Sequence, residues 1–433
     1  MRASGTTPWV VALILLIAFA ATVVVTTPWH PFGDQRPEQV AADADRDFTT
    51  AEQAAAERFR SEIRPPGYLN LATSLAVVVV LGLTPLGARL VVAAARPLGG
   101  GWVWQVLLGG LAVLLVIRLA TLPFAAWSEA VRRDYGLSTR DWGGWLADVG
   151  RSLGLQLAGT LLALLALVAL ARALPQSWWL PAAGGAAVAV VALSFAYPVL
   201  VEPVFNKFTP MEDGPLRASL IELAEADGVE VDDVLVADAS RRTTTLNAYV
   251  SGFGATHRIV VYDTLLEEAP AAEVRSIVAH ELGHMVNHDV RNGTLLGALA
   301  AAAAGCVLGG LLSWQWLLNR SASDGPGDPR VIALVLAIVA VLSLVASPVE
   351  NLVSRRVETR ADVHALDLTR DPETFIRMQH NLGVTAYSDL DPPPVLFGMF
   401  SSHPTKPQRI ALARTWAGLH DRPQPADLAG ANR

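Results

Sequence analysis

The sequence predicts a mainly helical, polytopic membrane protein with about seven transmembrane helices and a small α+β domain. The chain is poor in charge: of its 433 residues 52% are apolar and only 17% are charged, whereas about 25% is usual for a soluble protein. Seven apolar runs are also long enough to cross about 30 Å of hydrocarbon as helices. Between the fifth and sixth runs, a polar stretch alternates helix-like and strand-like patterns.

Each predicted span contains about 20 mostly apolar residues. The first follows Arg2, as a signal peptide would, but its long apolar core and the lack of a good small-x-small cleavage site favour an uncleaved span. The second contains Pro85 and Arg89, so its ends are the hardest to place. The predicted spans are Trp9–Thr27, Leu69–Ala95, Trp102–Leu122, Leu153–Leu174, Trp178–Val201, Thr294–Leu318 and Val331–Val349.

Arginine distribution predicts the orientation of the chain. The loops after spans one and three are rich in arginine, while those after spans two, four and six are short and poor in it. The positive-inside rule then places the N-terminus outside, and the segment between spans five and six and the C-terminal part in the cytoplasm. Arginine almost wholly replaces lysine, which is present only at positions 207 and 406, and this bias favours a bacterial cell membrane.

Charge and cysteine content exclude two further classes of site. A net charge of −7 and the lack of a Lys/Arg-rich run with interleaved aromatic residues argue against nucleic acid as a partner. The single cysteine, Cys306, excludes an intrachain disulfide and a thiolate zinc site.

The polar segments carry local structure of their own. We expect an exposed helix from Asp43 to Arg64 that ends before Pro65-Pro66, a soluble helix over Leu216–Asp227, and short strands at Val234–Val236 and Arg258–Tyr262. Pro270 should open a helix that runs from Ala271 toward span six. We divide the chain into a membrane region at 1–201, a mixed helix-and-strand core domain at 202–293, spans six and seven at 294–349 and a C-terminal part at 350–433.

The predicted helix before span six contains His280-Glu281-Leu282-Gly283-His284. Histidines four residues apart project from one helix face, so both rings can reach one ion. Glu281 lies beside that face, where it can take a proton from the attacking water. Three protein ligands, an open position and a base are what a catalytic zinc site requires, so the pattern predicts a zinc peptidase domain.

The third ligand must come from elsewhere. The extended metzincin motif is excluded because Asn287 and Val290 occupy its glycine and histidine positions. His288 is a weak alternative, since three ligands on successive turns of one straight helix do not converge. After span seven, Glu358 and Asp362 share a helix face, which predicts a gluzincin-like arrangement with Glu358 as ligand and Asp362 bonded to a ligand histidine.

These features together resemble the CAAX prenyl endopeptidase family of membrane zinc metallopeptidases. The resemblance covers most of the chain. It rests on the seven spans, the histidine motif, the Asn351–Asp362 helix, the Asn247–Tyr249 and 252–254 segments with the following strand, Ser402-His403-Pro404 with Arg409, and the loop from Arg133 with Trp142 and Asp148.

The resemblance implies roles for individual residues. One Zn²⁺ per chain would be bound by His280, His284 and Glu358, with Glu281 activating water and Asp362 supporting the site. Asn247, Tyr249 and Gly252 would lie where a substrate backbone adds as an extra strand. His403 would stabilise the developing oxyanion near the scissile carbonyl, and Arg409 would help shape the site.

Several alternatives stay open from sequence alone. Asn247 and Gly252 are residue types common in turns. His403 could be a surface residue before a proline turn, and a structural role is favoured for Tyr249. The implied partners are a lipid bilayer and a peptide or membrane-protein substrate, with or without a C-terminal lipid. Rival functions are a broad membrane quality-control metalloprotease and, less favoured, a non-catalytic scaffold or transporter.

Overall fold

The computed structural model describes residues 6–251 and 257–431. Long helices form the membrane region, and shorter helices surround a four-stranded sheet. The helices are α1 Thr7–Thr26, α2 Ala44–Asp47, α3 Thr50–Gly82, α4 Pro85–Ala95, α5 Trp102–Trp104, α6 Gly110–Asp134, α7 Trp142–Ala173, α8 Trp179–Ala196, α9 Glu202–Phe205, α10 Pro215–Ala226, α11 Asp263–Glu268, α12 Ala271–Val286, α13 Asp289–Leu311, α14 Gln315–Arg320, α15 Ile332–Thr369, α16 Pro372–Thr385, α17 Pro394–Phe400, α18 Lys406–Leu419 and α19 Leu428–Ala431.

Seven stretches of helix in the described chain are long and apolar enough to span a membrane, which confirms the predicted fold class. Many of their large apolar side chains are exposed, including Val25, Leu162 and Val188, as lipid-facing residues are. The third and fifth spans contain π turns, at 105–109 and 197–201. The spans are Thr7–Thr26, Thr50–Gly82, Trp102–Asp134, Trp142–Ala173, Trp179–Phe205, Asp289–Leu311 and Pro329–Thr369.

Small residues let two of these helices approach closely. A Cβ at Gly305 would lie 2.9 Å from Cα of Ala183, and one at Gly309 would lie 2.5 Å from Cβ of Trp179. The two glycines are one turn apart on α13 and both face α8. In a membrane, where apolar side chains gain little by leaving lipid, close backbone approach is a main source of helix association.

The sheet lies outside the membrane helices, in the order β1-β2-β4-β3. Its central strands are parallel, with Leu235 opposite Val260, and both edge strands are antiparallel to their neighbours. The predictions of strands at 234–236 and 258–262 and of a helix at 216–227 are confirmed, each to within a residue or two. The strands are β1 Phe208–Pro210, β2 Asp233–Ala237, β3 Ala248–Ser251 and β4 Arg258–Tyr262.

The N-terminal part of the chain also packs on this extramembranous domain. Phe48 is buried in the same core as α12, α16 and α18. Arg414 donates a 2.6 Å hydrogen bond to Asp47, and both side chains are almost inaccessible to solvent, at 2% and 1%. The backbone N–H of Val40 donates to the hydroxyl of Thr415. The segment from Val40 to Phe48 therefore fastens the membrane region to the C-terminal helices.

Two expectations about helix ends were wrong. The helix predicted to stop before Pro65-Pro66 continues as α3 to Gly82. Arg60 and Arg64 of α3 both pair with Asp389, and α3 packs along α6 and α15 on the other side of the prolines. Contacts on both sides thus outweigh the helix-breaking preference of proline, about 3 kcal/mol per residue.

The predicted second span, Leu69–Ala95, is in fact two helices. The chain leaves the helix at Leu83, and α4 begins at Pro85 with the Thr84 hydroxyl accepting a bond from the N–H of Leu86. Proline is well suited to the first position of a helix, because its missing N–H would have no helical partner there. Pro85 therefore starts a new helix and does not kink an existing one.

Candidate metal centre and catalytic cleft

The candidate centre forms where α12 crosses α15. Gly283 makes this crossing close, because a Cβ at that position would lie only 3.0 Å from Cβ of His364. Nε2 of His364 is also 2.8 Å from a carboxylate oxygen of Asp227, which follows α10. The contact brings the helix with both motif histidines against the helix with the predicted acidic pair.

His280, His284 and Glu358 come together at this crossing. Nε2 of His280 is 3.2 Å from Nε2 of His284 and 3.3 Å from Oε2 of Glu358. Nε2 of His284 is 3.6 Å from Oε1 of Glu358. Ligands of a tetrahedral zinc ion, at bond lengths of about 2.0–2.1 Å, are about 3.3 Å apart. The three side chains therefore have the spacing of three corners of such a site.

The first histidine is held by a buried ion pair. Nδ1 of His280 lies 2.9 Å from Oδ1 of Asp362, which is fully buried and also accepts bonds from Nε and Nη2 of Arg409. A proton on Nδ1 leaves Nε2 with its lone pair directed toward His284 and Glu358. Asp362 and Arg409 thus occupy the supporting positions that the resemblance implied, and carboxylates of this kind orient metal-binding histidines.

The second histidine has an equivalent carboxylate that sequence reasoning missed. Nδ1 of His284 is 3.0 Å from Oδ2 of Asp289, and the other oxygen of Asp289 accepts a hydrogen bond from Arg360 on α15. His288, at φ 57°, ends α12 and places Asp289 at the start of α13. His288 itself is not part of the metal-ligand cluster found among the described residues. The available signal was an acidic residue five positions after His284.

The charge balance of the cluster suits a cation. Burial alone would lower the pKa of His280, but its hydrogen bonds to Asp362 and Glu358 outweigh burial and raise the pKa to about 9. Among the described residues, the buried Oε2 of Glu358 accepts no well-aligned hydrogen bond, although His280 is 3.3 Å away. A carboxylate with a buried, unsatisfied oxygen beside two imidazole nitrogens is a donor set that fits zinc.

Glu281 lies beside the cluster and lines the same cleft. Burial raises the pKa of its carboxyl, which the neighbouring histidines only partly offset. A carboxylate with a raised pKa accepts a proton more readily than an exposed one. The position and environment of Glu281 therefore match those of a general base.

The cleft has a volume of about 420 Å³ and runs along the edge strand β3. Asn247 and Tyr249 line it, and the Tyr249 hydroxyl donates to Glu202 at the end of the fifth span. Gly252 lies outside the described residues. On the opposite wall are Met378 and Gln379 of α16, and the lining also includes Thr245, Leu246, Ala248, Ile277, Leu382, Thr385, Ala386, Ser388, His403, Lys406 and Arg409.

His403 enters the cleft from the loop before α18. Its Nε2 is 3.4 Å from Oε1 of Glu358, and its Nδ1 is 2.9 Å from the Ser402 hydroxyl. The side chain is 59% exposed. The structure therefore places this histidine at the mouth of the metal cluster, with one face open to a substrate.

The loop between α6 and α7, one of the features that resemble the CAAX prenyl endopeptidase family, supports the segment that leads into β3 at the cleft. Hydroxyls of Thr243 and Thr244 donate to the carbonyls of Leu137 and Gly136, and Thr139 donates to Ser240. Behind this loop, Arg140 pairs with Glu129 and Asp148, and Arg151 also pairs with Asp148. The loop between α6 and α7 thus fixes the segment that leads into Asn247.

Two family models match adjacent parts of the chain, which together run from residue 36 to residue 417. The model described as peptidase family M48 matches residues 210–417, which contain the whole metal cluster. The model described as the CAAX prenyl protease N-terminal region with five membrane helices matches residues 36–207. A Bacillus subtilis protein described as an uncharacterized metalloprotease, YhfN, is 33% identical over 302 residues, 69% of this chain and 71% of its own length. The chain belongs to peptidase family M48.

Relatives of the CAAX prenyl protease type are also similar. The Oryza sativa homologue of CAAX prenyl protease 1 is 33% identical over 50% of this chain, and the Saccharomyces cerevisiae CAAX prenyl protease 1 is 28% identical over 49%. These matches span about half the length of each relative, 51% and 50%. The prediction of a membrane metallopeptidase resembling this family is confirmed.

A solved structure shares the whole architecture. The crystal structure of S. mikatae Ste24p superposes with a TM-score of 0.75, covering 94% of this chain and 98% of that one at 21% identity. The likeness therefore extends over both the membrane helices and the peptidase domain, at the level of the fold.

Proposed function

We propose that this M48 peptidase is a zinc-dependent endopeptidase of the membrane that cleaves peptide bonds with Glu281 as general base. The observation that carries the proposal is the spacing of His280, His284 and Glu358, 3.2–3.6 Å between ligand atoms, with Glu281 beside them in the same cleft. One ion per chain would be held there, and zinc would supply a Lewis acid for the carbonyl and lower the pKa of water toward 7.

Four side chains of the protein then have separate roles in the reaction. Glu281 takes the proton of the attacking water and delivers it to the departing amine. His403, at the open side of Glu358, donates a hydrogen bond to the oxygen of the scissile carbonyl as negative charge develops there. Removing one such donor typically lowers the rate about 10²- to 10³-fold. Asp362 and Arg409 hold His280 in the tautomer that leaves Nε2 free.

We propose that an extended peptide binds along β3 as an additional strand. Among the described strands, β3 is at the edge of the sheet, and Tyr249 on it and Asn247 just before it line the cleft. Edge-strand addition supplies backbone hydrogen bonds without demanding a particular sequence, while cleft side chains supply selectivity. The domain is directly joined to the membrane helices α13 and α15, so a substrate that is itself a membrane protein or carries a C-terminal lipid can reach the cleft from the bilayer.

The arginine-rich loops support a cytoplasmic position of the peptidase domain in a bacterial cell membrane. A C-terminal reporter tests this orientation. Green fluorescent protein fused after residue 433 should fluoresce, and alkaline phosphatase at the same site should be inactive. The reverse pattern would contradict the proposed topology.

Cleavage of one peptide, with and without a farnesylated C-terminal cysteine, tests the proposed function. The purified protein in detergent should hold one zinc per chain and cut at least one form, and Glu281→Gln should retain zinc but lose cleavage. Near-normal turnover by that variant would refute the role of Glu281.

The two substrate forms separate the candidate activities. Cleavage of the farnesylated peptide alone would support a prenyl-protein endopeptidase, the activity for which several relatives are named. Equal cleavage of both forms would support a broader protease of membrane proteins. Stoichiometric zinc with neither form cut would refute the substrate proposal and leave the metal site standing.

A further inference from the structure

The catalytic cleft contains an unusual lysine. The chain has 33 Lys and Arg residues together, of which only Lys207 and Lys406 are lysine. Lys207 is exposed, next to β1, whereas Lys406 lines the cleft. It is also the first residue of α18, where the helix dipole disfavours a cation by about 0.3–1 kcal/mol. A cation therefore stands where the local structure opposes it.

The position of the lysine is well defined by α16. Its stem passes over Gly383, where an added Cβ would lie 3.3 Å from Cγ of Lys406. Its Nζ donates a 3.1 Å hydrogen bond to the side-chain oxygen of Gln379, one turn earlier on α16. Gln379 is itself buried, at 1% exposure, and lines the cleft. The ammonium group is thus held at a defined point of the cleft wall.

The ammonium group lacks an anionic partner. Within residues 6–251 and 257–431, no carboxylate oxygen lies within 4.0 Å of Nζ. The nearby Asp362 is already occupied by Arg409 and His280, and Glu358 belongs to the metal cluster. Burial, together with the neighbouring Arg409 cation, lowers the pKa of Lys406 to about 7. A half-buried lysine whose hydrogen-bond partner is neutral gains from a nearby anion, which favours its charged ammonium form.

We infer that Lys406 and Gln379 form a subsite for a carboxylate of the substrate, so that the cleft prefers peptides with a negative charge close to the scissile bond. The inference rests on the proposed peptidase function and adds a substrate class to it. The carboxylate has two possible sources, the free C-terminus of a short peptide or the side chain of an aspartate or glutamate.

Matched peptides test the subsite and distinguish the two sources. One cleaved sequence is prepared with a free or an amidated C-terminus, and the amidated form is also prepared with Asp or Asn at successive positions after the scissile bond. The wild-type protein should favour at least one acidic form by about tenfold or more in kcat/KM, as expected for a hydrogen bond to a charged group. Preference for the free terminus alone assigns that source, and preference for Asp alone assigns the other.

Lys406→Met, which keeps the apolar stem, should bring the acid-to-neutral ratio to about one. Lys207→Met is the matched control, since it removes the other lysine, and it should leave the ratio unchanged. Zinc content and thermal unfolding verify that both variants are folded. A ratio near one in the wild type, or an unchanged ratio in Lys406→Met, would overturn the subsite.

A measurement of peptide binding tests the subsite even if no peptide is cleaved. Fluorescence anisotropy on Glu281→Gln, with and without Lys406→Met, compares Kd for the same acidic and neutral peptides. Tighter binding of the acidic form that depends on Lys406, without cleavage by the wild type, would support the subsite while refuting the proposed function. Equal binding of both forms would refute the subsite.

Discussion

Replacing Asp289 tests whether the carboxylate behind His284 helps to bind zinc. Its Oδ2 is 3.0 Å from Nδ1 of His284, and its other oxygen is bound by Arg360. Asp289→Asn keeps the shape and can still accept the Nδ1 proton, but it removes the negative charge that makes the imidazole more basic. It also leaves Arg360 without its anion.

The size of the effect follows from that geometry. Loss of a carboxylate behind a metal-binding histidine usually weakens metal affinity about 10- to 100-fold, which corresponds to about 1.4–2.8 kcal/mol. The same range is expected for a hydrogen bond to a charged group. Because asparagine preserves one hydrogen bond, Asp289→Asn should lie near tenfold and Asp289→Ala near 100-fold.

The chain supplies a matched control in Asp227. Its carboxylate bonds His364 between the end of α10 and α15, and the two carboxylate–histidine pairs are nearly equally buried, with 20% and 21% exposure of the histidines and 10% of both aspartates. His364 is not in the metal cluster. Asp227→Asn should therefore lower the free energy of unfolding without changing zinc affinity.

Competition with a chromophoric zinc chelator gives the affinity of each variant, and thermal unfolding in detergent gives its stability. Zinc binding should be weaker in the Asp289 variants alone. An Asp289→Ala zinc affinity within twofold of the wild type would refute this, as would an Asp227→Asn variant whose zinc affinity falls as much as that of Asp289→Asn.

Three further predictions concern stability and pH. Asp47→Ala removes the two short hydrogen bonds of the buried Arg414 and leaves it, among the described carboxylates, only the more distant Asp427, 3.6 Å away. The variant should be destabilised by about 3 kcal/mol, the lower end of the range for a broken buried pair, seen as a lower unfolding temperature with unchanged zinc stoichiometry before unfolding. Burial raises the pKa of Glu281 above the ordinary value of 4.5, so Glu281 should become protonated, and the base be lost, at a higher pH than an ordinary carboxyl. In zinc-loaded enzyme, the acidic limb of the kcat/KM profile should therefore have its midpoint above pH 4.5. A midpoint at or below pH 4.5 would contradict this. Gly283→Ala places a Cβ 3.0 Å from His364, so it should lower the free energy of unfolding by about 1–3 kcal/mol and weaken zinc binding. Wild-type zinc affinity in this variant would show that α12 and α15 can move apart without disturbing the ligands.

The sequence predicted the parts of the site that depend on spacing within one helix. His280 and His284 share a face because they are four residues apart, and Glu358 and Asp362 do so for the same reason. The number of spans could also be predicted, since length and hydropathy decide it, but the bounds of the second span were wrong. The residue pattern did not predict strands β1 and β3, because three and four residues are too few to show a period of two; the strand edge at Asn247 and Tyr249 was implied only by the family resemblance.

Features that depend on tertiary contact could not be predicted. Asp289 reaches His284 only because the left-handed backbone at His288 turns the chain between two helices. Lys406 enters the cleft only because α18 packs against α16. The helix continues through Pro65-Pro66 because distant residues hold both sides of it. In each case the deciding partner is remote in sequence or lies across a chain reversal.

The two sides of the cleft are supported in different ways, and this difference bears on function. The metal side consists of α12 and α15, and α15 is a single helix from the seventh span to Asp362. The substrate side is the edge strand β3, tied to the fifth span by Tyr249 and Glu202 and to the α6–α7 loop by Thr243. Because both sides are fixed to different membrane helices, the width of the cleft depends on how those helices pack. The proposed ligands His280, His284 and Glu358 lie on two closely packed helices and can keep their geometry while the β3 side shifts. We therefore expect packing of the membrane region to affect which substrates bind more than it affects the metal site.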